Sequence, residues 1–195
     1  MQLLLMALAP IVIIIFYIYL KDKYEKEPKR LLIISFLLGA IVSIIITTLL
    51  YSVFNILVPL ADKLSIWEQF KQAFFVVGFS EELSKYLIVL LFAQQRKEFN
   101  EPFDGIVYAV MVSMGFAATE NISYVFQGGI QTALLRAFTA VPAHATFAIL
   151  MGYYMGKAKF SNNRILLNLT GLLLAILFHG AYDFFLFIDF VPGIG

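Results

Sequence analysis

Apolar runs long enough to cross a lipid bilayer recur along this chain, and they constrain its fold more than any other feature. They fall at about Leu3–Leu20, Leu31–Leu60, Phe70–Phe92, Gly105–Phe126, Thr132–Met155 and Ile165–Ile188, with short polar segments between them. A helix needs roughly 20 apolar residues to span ~30 Å of hydrocarbon. In that medium each backbone N–H and C=O must find its partner within its own segment. The pattern therefore predicts an all-α polytopic bundle of about six transmembrane helices, with residues 1–195 forming a single membrane-embedded domain. Composition agrees. Of 195 residues, 61% are apolar and 14% charged, with a mean hydropathy of +0.87, against roughly 45–50% and 25% in a soluble domain.

Other classes fall away quickly. A formal charge of +1 offers no basic patch for nucleic acid. The chain has no cysteine, so neither a disulfide nor a thiolate metal site is available. The first run has no basic segment before it and no small-residue cleavage site, so it reads as a retained helix rather than a signal peptide. Lysine and arginine set the orientation, because cytoplasmic loops are enriched in them. Ten lie in alternate linkers: Lys21, Lys23, Lys26, Lys29 and Arg30, then Arg96 and Lys97, then Lys157, Lys159 and Arg164. Lys63, Lys71 and Arg136 fall on the other side. Six crossings of the cell membrane with both termini outside the cytoplasm fit that bias.

Inside the apolar runs stand Glu81, Glu82, Lys85, Glu120, His144, His179 and Asp183. Each charged group facing mid-bilayer lipid costs roughly 2.5–3.5 kcal/mol, so the five acids and bases together would cost about 12–18 kcal/mol, as much as a whole domain's stability. They must face one another or a wet cavity. Helical spacing puts Gly78, Glu81, Glu82 and Lys85 on one stripe, and likewise Ser113, Ala117, Glu120 and Tyr124; Ala137, Ala140, His144 and Ala148; and Gly171, Ala175, His179, Tyr182 and Asp183. Small residues flank the polar ones, as expected of faces that pack helix on helix in lipid. At ~1.5 Å rise per residue, these residues can meet in one layer at or above the midplane, with His144 about 12 residues inside the fifth helix. Pro142 is expected to loosen that helix beside His144.

Three motifs, Glu81-Glu82-Leu83-Ser84-Lys85, Phe116-Ala117-Ala118-Thr119-Glu120 and His179-Gly180-Ala181-Tyr182-Asp183, together with His144, lie in this order on four helices. The set resembles the PrsW family of intramembrane proteases, whose patterns are EExxK, FxxxE and HxxxD. DGIVYA at Asp104–Ala109, ENISY at Glu120–Tyr124 and LKDKYEKEP at Leu20–Pro28 are also similar to family members. The resemblance covers the whole chain. It implies a site-1 cut in a single-pass membrane anti-sigma factor on the extracytoplasmic side. A second intramembrane protease then completes release of an envelope-stress sigma factor. The family is related to the CAAX prenyl endopeptidases, but their second motif ends in His where Glu120 stands, so their mechanism does not transfer at that position.

Hydrolysis of a peptide bond needs an activated water, a base for its proton and support for the oxyanion. Two versions fit the residues. In one, Glu81 or Glu82 is the base and His144 or His179 supports the oxyanion. In the other, His144, His179 and one carboxylate, with Glu120 the candidate, hold Zn²⁺ while a second glutamate acts as base; the family's classification favours this version. Lys85 balances charge against Glu81 one turn away, and Asp183 orients His179 or a partner across the bundle. Buried acids and histidines also build proton- or ion-coupled transporters and channels, and a catalytically silent scaffold for single-pass helices is a third reading. No inverted repeat supports transport.

Overall fold

A computed structural model describes residues 1–23 and 25–191. Helix α1 covers Gln2–Lys21, and α2 covers Lys29–Leu57 with a π-helical stretch at Leu38–Ser43. The next helix, α3, runs over residues 66–93. It is α-helical at Ile66–Lys71 and Phe79–Ile88 and π-helical at Gln72–Gly78 and Val89–Ala93. Then follow α4 (Asp104–Phe138), α5 (Ala140–Lys159) and α6 (Arg164–Phe187). There is no strand among the described residues, so the protein is an all-α polytopic membrane bundle.

Four stretches are long and apolar enough to cross a membrane: Gln2–Lys21, Lys29–Leu57, Asp104–Lys159 and Arg164–Phe187. The third contains both α4 and α5. Helix α3 is not among them because Glu81, Glu82 and Lys85 fall in the middle of it. Large apolar side chains cover the outside: Ile56 is 80% exposed and Ile165 77%. In water such a surface would be an aggregation site; in hydrocarbon it is the solvent-facing side.

The boundary between α4 and α5 differs from expectation. The apolar run beginning at Thr132 reads as the start of the fifth crossing, but its first residues, up to Phe138, form a short helical segment of their own beyond a break in α4, and the helix that carries His144 starts at Ala140. The break lies at Gly129, whose φ of 70° belongs to the left-handed region open to glycine. Hydropathy cannot distinguish a short apolar segment folded across the end of a bundle from the first turns of a crossing. As a result His144 sits in the first two turns of α5 rather than 12 residues deep. Pro142 also falls in the first turn, where the N–H it lacks has no helical partner to lose, so it does not loosen the helix.

Helix α4 is the centre of the bundle, packed by α1, α2 and α5. Tyr108, Val110, Val112, Met114 and Ala117 on it are fully buried. Glycines let backbones touch there. A Cβ at Gly115 would strike the Phe36 carbonyl oxygen of α2, and one at Gly39 would strike the Val112 carbonyl oxygen of α4. Polar ties fix the register: Thr119 Oγ1 donates to the Ala40 carbonyl at 2.9 Å, and Asn121 Nδ2 to that of Ala7 at 2.8 Å. Outside the helices, Glu27 accepts a hydrogen bond from Tyr108 and ties the α1–α2 linker to α4. Burial pushes the Glu27 carboxyl up to about 8; Asp104 and Asp22 add to the rise and the Tyr108 hydrogen bond opposes it.

Overpacking a close contact costs about 1–3 kcal/mol or more. Gly115→Leu is therefore expected to lower the thermal unfolding midpoint of the protein in detergent, since Leu cannot coexist with the Phe36 carbonyl. An unchanged midpoint would contradict the α2–α4 approach.

Candidate active site

Two backbone features bring the acids to the histidines. The first is the pair of π-helical stretches in α3, which bracket the turn carrying Glu81, Glu82 and Lys85. Such widened turns re-aim side chains and recur at functional sites. The second is a crossing of α3 and α6 at glycine: a Cβ on Gly78 would lie 3.1 Å from the Gly180 nitrogen. This approach sets Glu81 and Glu82 directly against His179, the neighbour of Gly180. His144 reaches the same place from the start of α5, its carbonyl accepting from Ser113 Oγ of α4 at 3.0 Å.

The two adjacent glutamates are divided in their surroundings. Glu82 lies under the site, where one of its oxygens, Oε1, meets both Lys85 Nζ at 2.7 Å and His179 Nδ1 at 2.8 Å; Oε2 is buried without a partner. Glu81 instead lines a cavity of about 480 Å³ together with Glu120, Arg136, His144, His179 and Asp183. Lys85 is closer to Glu82 than to Glu81, which it approaches at 3.4 Å, and it also contacts His144 Nδ1 at 3.3 Å. The Phe116 ring beneath its ammonium, 4.2 Å away, adds a cation–π contact. Asp183 Oδ2 lies 3.3 Å from His179 Nε2. The His179 ring stacks on Phe147 at 4.9 Å.

Glu120 faces His144 Nε2 at 3.0 Å and is also paired with Arg136 at 2.6 Å. In the sequence Arg136 counts only as a charge on the outer side of the membrane. Its guanidinium in fact folds back from beyond Gly129, holds Asn121 Oδ1 at 2.7 Å and lies over Tyr124 at 4.2 Å. Tyr51 of α2 was also missed; its hydroxyl donates to Glu81 Oε1 at 2.6 Å. A tyrosine or arginine near a run's end has the composition of an interfacial anchor, so neither carried a signal of its own.

A divalent cation fits these residues on two grounds. Glu81, His144 and His179 each offer a ligand atom, and the three atoms lie within 4.8 Å of one another; two imidazoles and a carboxylate are donors suited to zinc. Charge gives the second. Among the described residues, Glu81, Glu82, Glu120 and Asp183 face only Lys85 and Arg136 as permanent cations, so with neutral histidines the acids outnumber their partners by two. Buried charge without compensation is costly, and a doubly charged ion supplies the deficit. The Glu82 contact to His179 Nδ1 also has the form of the carboxylate–histidine support that aims a ligand's other nitrogen at a metal.

Comparison with known proteins agrees with this chemistry. The family described as PrsW family intramembrane metalloprotease matches residues 27–194. Protease PrsW of Oceanobacillus iheyensis is 41% identical over 180 residues, 92% of this chain and 80% of its own length. Protease PrsW of Clostridioides difficile is 38% identical over 201 residues, covering 97% and 81%. Protease PrsW of Bacillus subtilis is 36% identical over 181 residues, covering 92% and 80%. No solved structure matches. With a family match over most of its length and relatives of this identity, the chain belongs to the PrsW family of intramembrane proteases.

Proposed function

We propose that this protease makes the site-1 cut in a single-pass membrane anti-sigma factor, on the extracytoplasmic side, at a zinc site held by Glu81, His144 and His179. The observation that carries the reading is the convergence of these three ligand atoms on one cavity between apolar helices. The substrate class follows from the resemblance of the EExxK, FxxxE and HxxxD motifs to the family. When bound, zinc lowers the pKa of water and polarises a carbonyl.

The chain's own residues divide the remaining work. Glu120 lines the same cavity and is the base that takes a proton from the attacking water and delivers it to the leaving amine. Arg136, at 2.6 Å, holds that carboxylate in place at the cavity. Glu82 orients His179 through Nδ1, Asp183 stands beside Nε2 at the cavity, and Lys85 balances Glu82 beneath the site. The surrounding apolar helices restrict water to the cavity, which strengthens each of these interactions.

Glu81→Gln, Glu82→Gln and His179→Ala are each expected to reduce cleavage of a candidate single-pass substrate by at least about 100-fold while the protein still inserts in the membrane. Near-normal cleavage by two of the three would sink the assignment. Topology has its own test. With six crossings and both termini outside the cytoplasm, cysteines replacing Lys26, Lys97 and Asn162 should resist an impermeant thiol reagent in intact cells, while one replacing Ser65 should react. Labelling at any of the first three positions would reverse or break that arrangement.

A further inference from the structure

The two oxygens of Glu81 have different neighbours. Oε2 points toward His179 Nε2 at 3.8 Å and Lys85 Nζ at 3.4 Å, whereas Oε1 accepts the Tyr51 hydroxyl at 2.6 Å. The last torsion of a glutamate is broad and close to two-fold. Left alone, this carboxylate could rotate to give both oxygens to the ammonium of Lys85.

Tyr51 is itself held in place. Ser43, Thr47 and Tyr51 recur at four-residue spacing, so they share one face of α2. Ser43 Oγ lies 2.6 Å and Thr47 Oγ1 2.8 Å from Ser84 Oγ on α3, and Ser84 Oγ in turn donates to the Glu81 carbonyl at 2.8 Å. This ladder of hydroxyls registers α2 against the turn of α3 that carries Glu81. Tyr51 is its last rung, one turn beyond Thr47; both line the cavity, and Tyr51 is the rung that meets a carboxylate.

We infer that Tyr51 is a positioning residue for the metal site: by pinning Oε1 of Glu81 it leaves Oε2 on the side of His179. The inference rests on the reading of Glu81, His144 and His179 as the metal-holding set. It assigns α2, which supplies no acid or histidine to the site, a part in setting metal affinity. Hydrogen-bonded partners of ligating groups typically change metal affinity or activity by about 10–100-fold when removed.

The test is zinc affinity of the purified full chain, measured by competition with a chromogenic chelator, for wild type, Tyr51→Phe and His179→Ala, beside the thermal midpoint of each metal-free protein. Phenylalanine keeps the ring and removes only the hydroxyl. The expected result is zinc binding by wild type, its loss in His179→Ala, and a 10–100-fold weaker affinity in Tyr51→Phe with an unchanged metal-free midpoint. Cleavage by Tyr51→Phe should then fall at limiting zinc and recover at saturating zinc. Equal affinity in wild type and Tyr51→Phe, with His179→Ala defective, would overturn the role of Tyr51 alone. A drop in the metal-free midpoint large enough to account for the weaker binding would make Tyr51 a structural group and overturn it as well. Absence of zinc binding by wild type, or full binding by His179→Ala, would remove the metal reading and this inference with it.

Discussion

A single buried ammonium organises this molecule. Lys85 Nζ is enclosed between apolar helices and touches Glu82, Glu81, His144 and the face of Phe116. Lipid offers no water to any of these groups, so each depends on the others being in place. Removing one partner of such a buried pair typically costs about 3–5 kcal/mol, because the remaining charge is left uncompensated. The helices must therefore approach closely enough for three elements to meet at one nitrogen; the Gly105–Gly152 contact lets α4 and α5 touch, and Gly78–Gly180 does the same for α3 and α6, whose His179 meets Glu82. The electrostatics of the site and the packing of the bundle are one requirement.

The same constraint explains the division of labour between adjacent glutamates. A helix turns about 100° per residue, so Glu81 and Glu82 cannot both face the cavity. Glu82 takes the inner position, bridging Lys85 and His179, and Glu81 takes the outer one, with one oxygen toward the histidines and one toward Tyr51. With both histidines neutral, as a metal-bound pair is, four carboxylates against two permanent cations leave a deficit that suits a divalent ion. This links the family's metalloprotease description to a physical property of this chain's own side chains.

Much of this was legible in the sequence because hydrocarbon is a severe solvent. Charged residues within apolar runs must converge, and Glu81, Glu82, Lys85, Glu120, His144, His179 and Asp183 do meet around one cavity and the groups beneath it. What stayed hidden depends on direction rather than composition. The segment at Thr132–Phe138 is as apolar as a membrane crossing, and only the left-handed turn at Gly129 lays it across the bundle and brings Arg136 back to Glu120. Tyr51 stands in an apolar helix where a tyrosine is usually an anchor or packing group. Its role appears only when Ser43 and Thr47 are seen against Ser84. The partner preferred by Lys85, Glu82 rather than Glu81, is likewise not fixed by spacing, because the i,i+3 and i,i+4 pairs are both open to it on one helix face.

The claim on which the account turns is that the buried acids and histidines hold a metal on which cleavage depends. Zinc-edge X-ray absorption of gently purified protein, combined with cleavage of a single-pass substrate before and after metal removal, tests it most directly. The account predicts about one zinc per chain in a shell of nitrogen and oxygen donors near 2.0–2.2 Å, with activity lost to a membrane-permeant chelator and restored by zinc. Full cleavage by a preparation free of metal would contradict it and return the role of base to Glu81, with His144 and His179 supporting the oxyanion.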